Sequence, residues 1–252
     1  ELQRATGMDV RAADWTIGFP AAIEWRQMTL TKTDWAPLQL GLVRAQAGVW
    51  RLLTGGVALD LAAQLDETTA TQGTVKLSVM TSSWSMTGPV AMVGKIQKLD
   101  LSKVIRPYVT RGILTGEFTH RLDRAATAGS ASFGEGTWKA EAKDLSLDRI
   151  PVGNGRILAL AFSNLSLGLA CREQVCDVTE LKGDGIDGSF SGQGTVTMQQ
   201  PIQQSQLALS LTVIPGVGFA AKAPGLGIPP LPTGTPFTFK VIGTLAQARV
   251  AL

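Results

Sequence analysis

Apolar and polar residues alternate with a period of two along most of this chain. The clearest run places leucine or valine at every second position from 207 to 213, and similar runs cover 57–65, 75–79 and 158–162. Because successive side chains of a strand point to opposite faces of a sheet, each run predicts a half-buried strand. Few helical stretches separate the runs, so the strands should pair mainly as antiparallel hairpins.

The predicted fold class is therefore all-β. We expect one large, curved, mostly antiparallel sheet, rolled up or left partly open as a barrel or groove, with one or two short helices. The clearest helix covers 102–108, with Asp100 as its N-cap and apolar residues at helical spacing. The Gly- and Pro-rich stretch 215–236 is predicted to lack regular structure. A change of apolar phase after Phe162 suggests a bulge nearby, around 163–164.

One face of the predicted sheet is apolar, and too little helix is predicted to cover it. If the sheet closes on itself, these side chains form its core; if it stays open, they line a groove that works by contact. The candidate residues of this face are Leu59, Leu61, Val75, Leu77, Leu158, Leu160, Leu207, Leu209 and Leu211.

The composition fits a single β domain over 1–252, with a possible subdivision near 110–127. Of the 252 residues, 44% are apolar, which is enough for a core, and only 17% are charged, which is few for long helices with solvated faces. The net charge of +3 is not concentrated in runs of Lys and Arg interleaved with aromatic residues. Nucleic acid is therefore not an expected partner.

Cys171 and Cys176 flank a predicted hairpin turn. This spacing favours a disulfide and an oxidising compartment. The alternatives are two reduced thiols or half of a metal site. A metal site needs further ligands, and the single histidine, His120, is remote in sequence.

The sequence offers no catalytic motif, so we expect neither an enzyme nor a bound cofactor. The stretch GSFSG resembles a nucleophile elbow, but its central residue is Phe190 rather than serine. Asp184 and Asp187 lie in a glycine-rich turn and make an incomplete calcium loop. His120 lies among apolar positions, where a packing role is more common than catalysis.

Tryptophans are concentrated in the first part of the chain. Four of the six, at positions 15, 25, 35 and 50, precede the midpoint of the first half. Core and strand-edge packing is the favoured explanation, since tryptophan buries a large area. An exposed aromatic strip for a partner or a membrane surface is the alternative.

Several segments resemble known envelope proteins. The opening resembles the segment that follows the membrane anchor in AsmA-like proteins, and four later segments resemble the type II secretion protein N family. These segments are LQRATGMDVRAADWTIGFPAAIEWRQMTL for the first, and LDLSKVIRPYVTRGILTGEFTHRLD, KDLSLDRIPV, ELKGDGIDGSFSGQGTVTMQQPIQQSQLALSLTV and FKVIGTLAQARVAL for the others. The stretch 215–236 matches neither family.

The resemblance implies a periplasmic β domain of a single-pass inner-membrane protein in a Gram-negative bacterium. Such a protein would belong to, or accompany, the type II secretion machinery, with the inner-membrane platform or the secretin as partners. The AsmA-like relatives imply an alternative, in which an apolar groove binds or transfers lipid. The chain begins at Glu1 rather than Met, and we expect a membrane anchor upstream of it.

Overall fold

The computed structural model describes residues 9–31, 37–65, 73–83, 88–122, 134–151, 157–199, 202–226 and 232–251. Most of these residues lie in one antiparallel sheet of 15 strands, which is not closed. The predicted all-β class is therefore confirmed. The strands are β1 Asp9–Arg11, β2 Asp14–Gly18, β3 Ala22–Thr31, β4 Leu38–Ala47, β5 Ala58–Gln64, β6 Thr74–Thr81, β7 Val90–Asp100, β8 Val109–Leu122, β9 Glu135–Pro151, β10 Ile157–Arg172, β11 Val175–Gly185, β12 Gly188–Thr197, β13 Gln206–Pro215, β14 Phe237–Thr244 and β15 Gln247–Ala251.

The sheet is a meander in which each strand from β3 to β14 pairs with the strand that follows it. Both β1 and β2 pair with the remaining edge of β3. Strand β8 pairs along its length with β7 and β9 in the middle of the sheet. The proposed subdivision near 110–127 thus begins within a strand of the continuous sheet, and its last part lies outside the described residues.

Successive connections of a meander lie at opposite ends of the sheet. One end, here called the disulfide end, carries the Glu173–Gln174 turn of the β10–β11 hairpin and the turn that joins β2 to β3. The other, here called the Asp187 end, carries the turn between β11 and β12. The positions of the helices and of the pocket are given below relative to these two ends.

Within the described residues three short α-helices interrupt the meander, where one or two were predicted. They are α1 Val49–Leu53 at the disulfide end, and α2 Leu101–Val104 and α3 Val217–Lys222 at the Asp187 end. Helix α2 is the predicted one, although it is shorter than expected. As predicted, Asp100 caps it: the carboxylate accepts a hydrogen bond from the backbone N–H of Ser102 at 3.0 Å.

Helix α3 corrects the expectation that 215–236 lacks regular structure. The stretch between Pro215 and Pro224 contains no proline, so every backbone N–H of α3 remains available to donate. Helix α3 continues into a 3-10 turn over Ala223–Leu226. Residues 227–231 lie outside the described part of the chain.

The most deeply buried cluster is small and lies beneath α2. Its members are Leu101, Val109, Ala142 and Leu145, and Leu114, Leu147, Phe162 and Leu165 pack against them. Elsewhere the sheet carries mostly half-buried side chains. Little of the apolar surface of this chain is therefore removed completely from water by the described structure.

The bulge predicted around 163–164 is not present in the pairing of β10 with β9, although the strand changes faces there. Phe162 and Leu165 both pack on the cluster beneath α2, so the strand switches faces between them. The pairs Phe162–Leu145 and Asn164–Lys143 keep the same register. A register shift in β10 occurs instead between Leu158 and Leu160.

Candidate binding surface: the apolar face of the sheet

One row of side chains crosses the sheet from β2 to β14 without a polar member. Directly opposed residues of antiparallel strands point to the same face, so the strand register traces the row. We call it the central row: Ile17, Ile23, Ala45, Leu61, Leu77, Gly94, Phe118, Trp138, Leu169, Val178, Gly194, Leu209 and Val241.

The next row along the strands points to the opposite face and is largely polar. It contains Asp60, Ser78, Thr119, Thr137, Asp177 and Thr195. Its hydroxyl groups bond across strands; the Thr119 and Thr137 oxygens, for example, lie 2.9 Å apart. The two faces of the sheet therefore differ in chemistry, as the period-two pattern predicts.

The structure places all nine candidate residues on the face of the central row, here called the apolar face. On β5 and β6 the pairs Leu59–Val79, Leu61–Leu77 and Ala63–Val75 lie side by side. Leu207, Leu209 and Leu211 oppose Val196, Gly194 and Gly192 of β12. Leu158 and Leu160 reach the same face, where they line a pocket together with Leu211.

In the described ranges α2 and α3 cover parts of the apolar face at the Asp187 end, and no second layer covers the rest of it. All described strands belong to the one sheet, and the sheet is open. Helix α2 packs on β9 and β10 through the cluster beneath it, and α3 bonds to β10 through Lys222. Leu59 is 37% exposed, and the other eight candidate residues are half-buried. Of the two predicted alternatives, the described structure is the open one.

Glycines on this face allow aromatic rings to lie flat across neighbouring strands. A Cβ at Gly94 would lie 1.9 Å from the ring of Phe118, which stacks on Trp138 with ring centroids 4.4 Å apart. On β11 and β12, the ring of Phe190 occupies the space above Gly183. A side chain larger than glycine at these positions would collide with a ring.

A disulfide joins Cys171 to Cys176 across the β10–β11 hairpin, as predicted. The two residues are directly opposed in the register and lie on the apolar face at the disulfide end. In the described part of the chain no group of three or more acidic, cysteine or histidine side chains could hold a metal ion. His120 lies on β8 with its ring 6.3 Å from that of Trp138.

Exposed apolar side chains gather at the disulfide end near α1. Phe19 is 97% exposed and Trp50 is 83% exposed. Trp15 and Trp138 are also exposed, and Trp25 is half-buried. The predicted core and strand-edge packing therefore fits Trp15, which lies on the edge strand β2 opposite Trp25, but not Trp50, which lies on α1. Two further tryptophans, at 35 and 84, lie outside the described residues.

A pocket of 280 Å³ lies on the apolar face at the Asp187 end. Phe219 of α3 lines it, and so do strand residues of β10, β12, β13 and β14. The wall also includes Asp187, whose side chain is 1% exposed and 2.7 Å from the ammonium of Lys222. Asp187 lies in a turn, as expected for this glycine-rich stretch, and its partner is a lysine.

Sequence reasoning missed this pocket because it treated 215–236 as irregular. The only signal available was a proline-free stretch with Val217, Phe219 and Lys222. No helix in the described ranges combines the length and the apolar character that a membrane crossing requires. Comparisons of the chain with protein-family models, curated proteins and solved structures find no match.

Proposed function

We propose that this chain is a non-catalytic β domain of the Gram-negative envelope that belongs to, or accompanies, the type II secretion machinery. It acts by protein contact, with the apolar face as the contact surface and the inner-membrane platform or the secretin as partner. In this proposal the domain lies in the periplasm and an inner-membrane anchor precedes it. The observation that carries the contact role is the central row, which presents only apolar residues and glycine across the open sheet.

Energetics favour a partner on this face. Fully burying a leucine or valine contributes about 1.5–3 kcal/mol, and half-buried side chains leave about half of that unrealised. Nine such residues on one surface make a strong drive to association with another apolar surface. The assignment to the secretion apparatus rests on the sequence resemblance. The Cys171–Cys176 disulfide is consistent with an oxidising compartment such as the periplasm.

The test is Leu209→Asp in the central row, with Ala208→Asp as the matched control. Ala208 is the preceding residue of β13, is exposed and lies on the opposite face. Leu209→Asp should remain folded, because the face is open, but should reduce secretion of a type II substrate by the source bacterium. Ala208→Asp should change neither the melting temperature nor secretion. Photo-crosslinks from position 209 to platform or secretin proteins would identify the contact.

Two results would contradict the proposal. Normal secretion by cells that contain folded Leu209→Asp would show that the face is not the contact surface. Global unfolding of Leu209→Asp, with Ala208→Asp stable, would show that Leu209 belongs to a closed core.

The pocket beneath α3 favours a second candidate function, which is lipid binding or transfer. It continues the apolar face and is lined mainly by leucine, valine and phenylalanine. Organic extraction of the purified protein followed by mass spectrometry separates the two candidates. A stoichiometric lipid supports the second; lipid-free protein that crosslinks to secretion proteins supports the first.

A further inference from the structure

The pocket beneath α3 differs from the uncovered part of the apolar face because α3 forms a roof over it. Phe219 of α3 faces Phe237 of β14 and the phenylalanines of β10 and β12 across it. The rings of Phe162 and Phe190 meet edge to face at its base, with centroids 5.4 Å apart. Four aromatic rings therefore surround a space that the described side chains leave unfilled.

An ion pair attaches this roof to the sheet. The Lys222 ammonium donates to both carboxylate oxygens of Asp187, at 2.7 Å each, and to the carbonyl of Ala159 at 3.0 Å. Asp187 also accepts a hydrogen bond from the backbone N–H of Ala161 at 2.7 Å. Helix α3 is thus connected to β10 and to the β11–β12 turn at the same point.

These bonds leave no charge to recognise a polar ligand inside the pocket. The three donor positions of Lys222 are all directed to oxygen atoms, and both carboxylate oxygens of Asp187 accept. Ser189 is the remaining polar side chain of the wall. An occupant must therefore be apolar where it lies beneath α3.

The size of the pocket fits a chain end rather than a compact apolar molecule alone. Apolar cavities of about 150 Å³ stay dry and bind benzene, and this pocket of 280 Å³ is larger. It is also continuous with the apolar face, because Leu158, Leu160 and Leu211 belong to both. A flexible hydrocarbon chain can occupy the pocket and leave along the face.

We propose that the pocket beneath α3 is the binding site for the methyl end of a linear acyl chain. The rest of the chain lies along the apolar face toward the disulfide end, and the polar head group lies away from α3. This site rests on the second candidate function, lipid binding, and gives it a location and a direction.

The experiment uses two forms of stearic acid, with a nitroxide near the methyl end in one and near the carboxyl end in the other. Methyl NMR spectra are recorded for the full chain with isotope-labelled leucine and valine. The methyl-end probe should broaden Leu160, Leu211 and Val213 most strongly. The carboxyl-end probe should leave these signals and broaden methyl groups nearer the disulfide end of the same strands, such as those of Leu207 and Val196.

A variant whose side chain fills the pocket provides the second measurement. Leu160→Trp occupies the pocket and should weaken stearate binding by about tenfold or more, whereas Leu77→Trp, on the same face but remote from α3, should weaken it far less. Equal broadening by both probes across the face would overturn the pocket site and leave lipid binding in place. Absence of binding by wild-type protein would overturn both. The probe spectra of wild-type protein locate the methyl end of the acyl chain even if a variant fails to fold.

Discussion

Replacing Lys222 by methionine should release α3 from the sheet. The substitution keeps the length of the side chain but removes the cation from Asp187, which is 1% exposed. The carboxylate would retain only the backbone N–H of Ala161 as a donor. Breaking a buried ion pair typically costs about 3–5 kcal/mol. Because Lys222 is 37% exposed and water reaches it, we take about 3 kcal/mol, the lower end of that range.

Amide hydrogen exchange in α3 measures this loss of local stability directly. The amide of Gly218 donates to Ile186 at 3.0 Å, and the amide of Ala220 donates to Gly216 at 3.0 Å. A loss of about 3 kcal/mol corresponds to exchange about a hundredfold faster at these amides. Amides in the middle of β13 should keep their protection, because the opening is local.

Two further variants test the reasoning. Lys182→Met removes the exposed pair with Glu180, at 3.6 Å, and should have little effect, since exposed pairs contribute about 0–1 kcal/mol. The double variant Asp187→Asn/Lys222→Met removes both charges and should recover most of the protection, because no buried charge remains unpaired. Unchanged exchange at Gly218 and Ala220 in Lys222→Met would refute the role of the ion pair.

Two other predictions follow from the sheet. Thiol titration of the denatured, unreduced protein should find no free thiol at Cys171 or Cys176, and reduction should lower the free energy of unfolding by about 2 kcal/mol in the loop-entropy treatment; two free thiols before reduction would contradict the bond. Gly94→Val should destabilise the domain by about 1–3 kcal/mol in urea denaturation, because its Cβ meets the ring of Phe118. The control Ala91→Val, on the opposite face of β7, should change stability much less, and equal effects would show that the ring does not depend on the glycine.

The strands and their apolar face could be predicted because alternation is a local property. The side chains of Leu207, Leu209 and Leu211 share a face in any strand, and the hairpin register then aligns them with apolar neighbours. Whether the sheet closes depends instead on the edge strands β2 and β15. Pairing of these two distant strands cannot be predicted from the alternation within either one.

Helix α3 shows why part of the candidate site could not be predicted. It has only six residues and includes Gly218, so its local propensity is poor. Its anchor is Asp187, 35 positions earlier in the chain. The contact that stabilises the helix exists only after β11 and β12 have formed their turn.

The meander described above has a consequence for how the domain can unfold and how it can vary. Each strand from β4 onward pairs only with its neighbours in sequence, so the sheet is close to a one-dimensional array of hairpins whose stability is approximately a sum over adjacent pairs. Such an array can lose strands from either edge while the remainder stays paired. Insertion or deletion of a whole hairpin would lengthen or shorten the apolar face without reversing the direction in which any other side chain points.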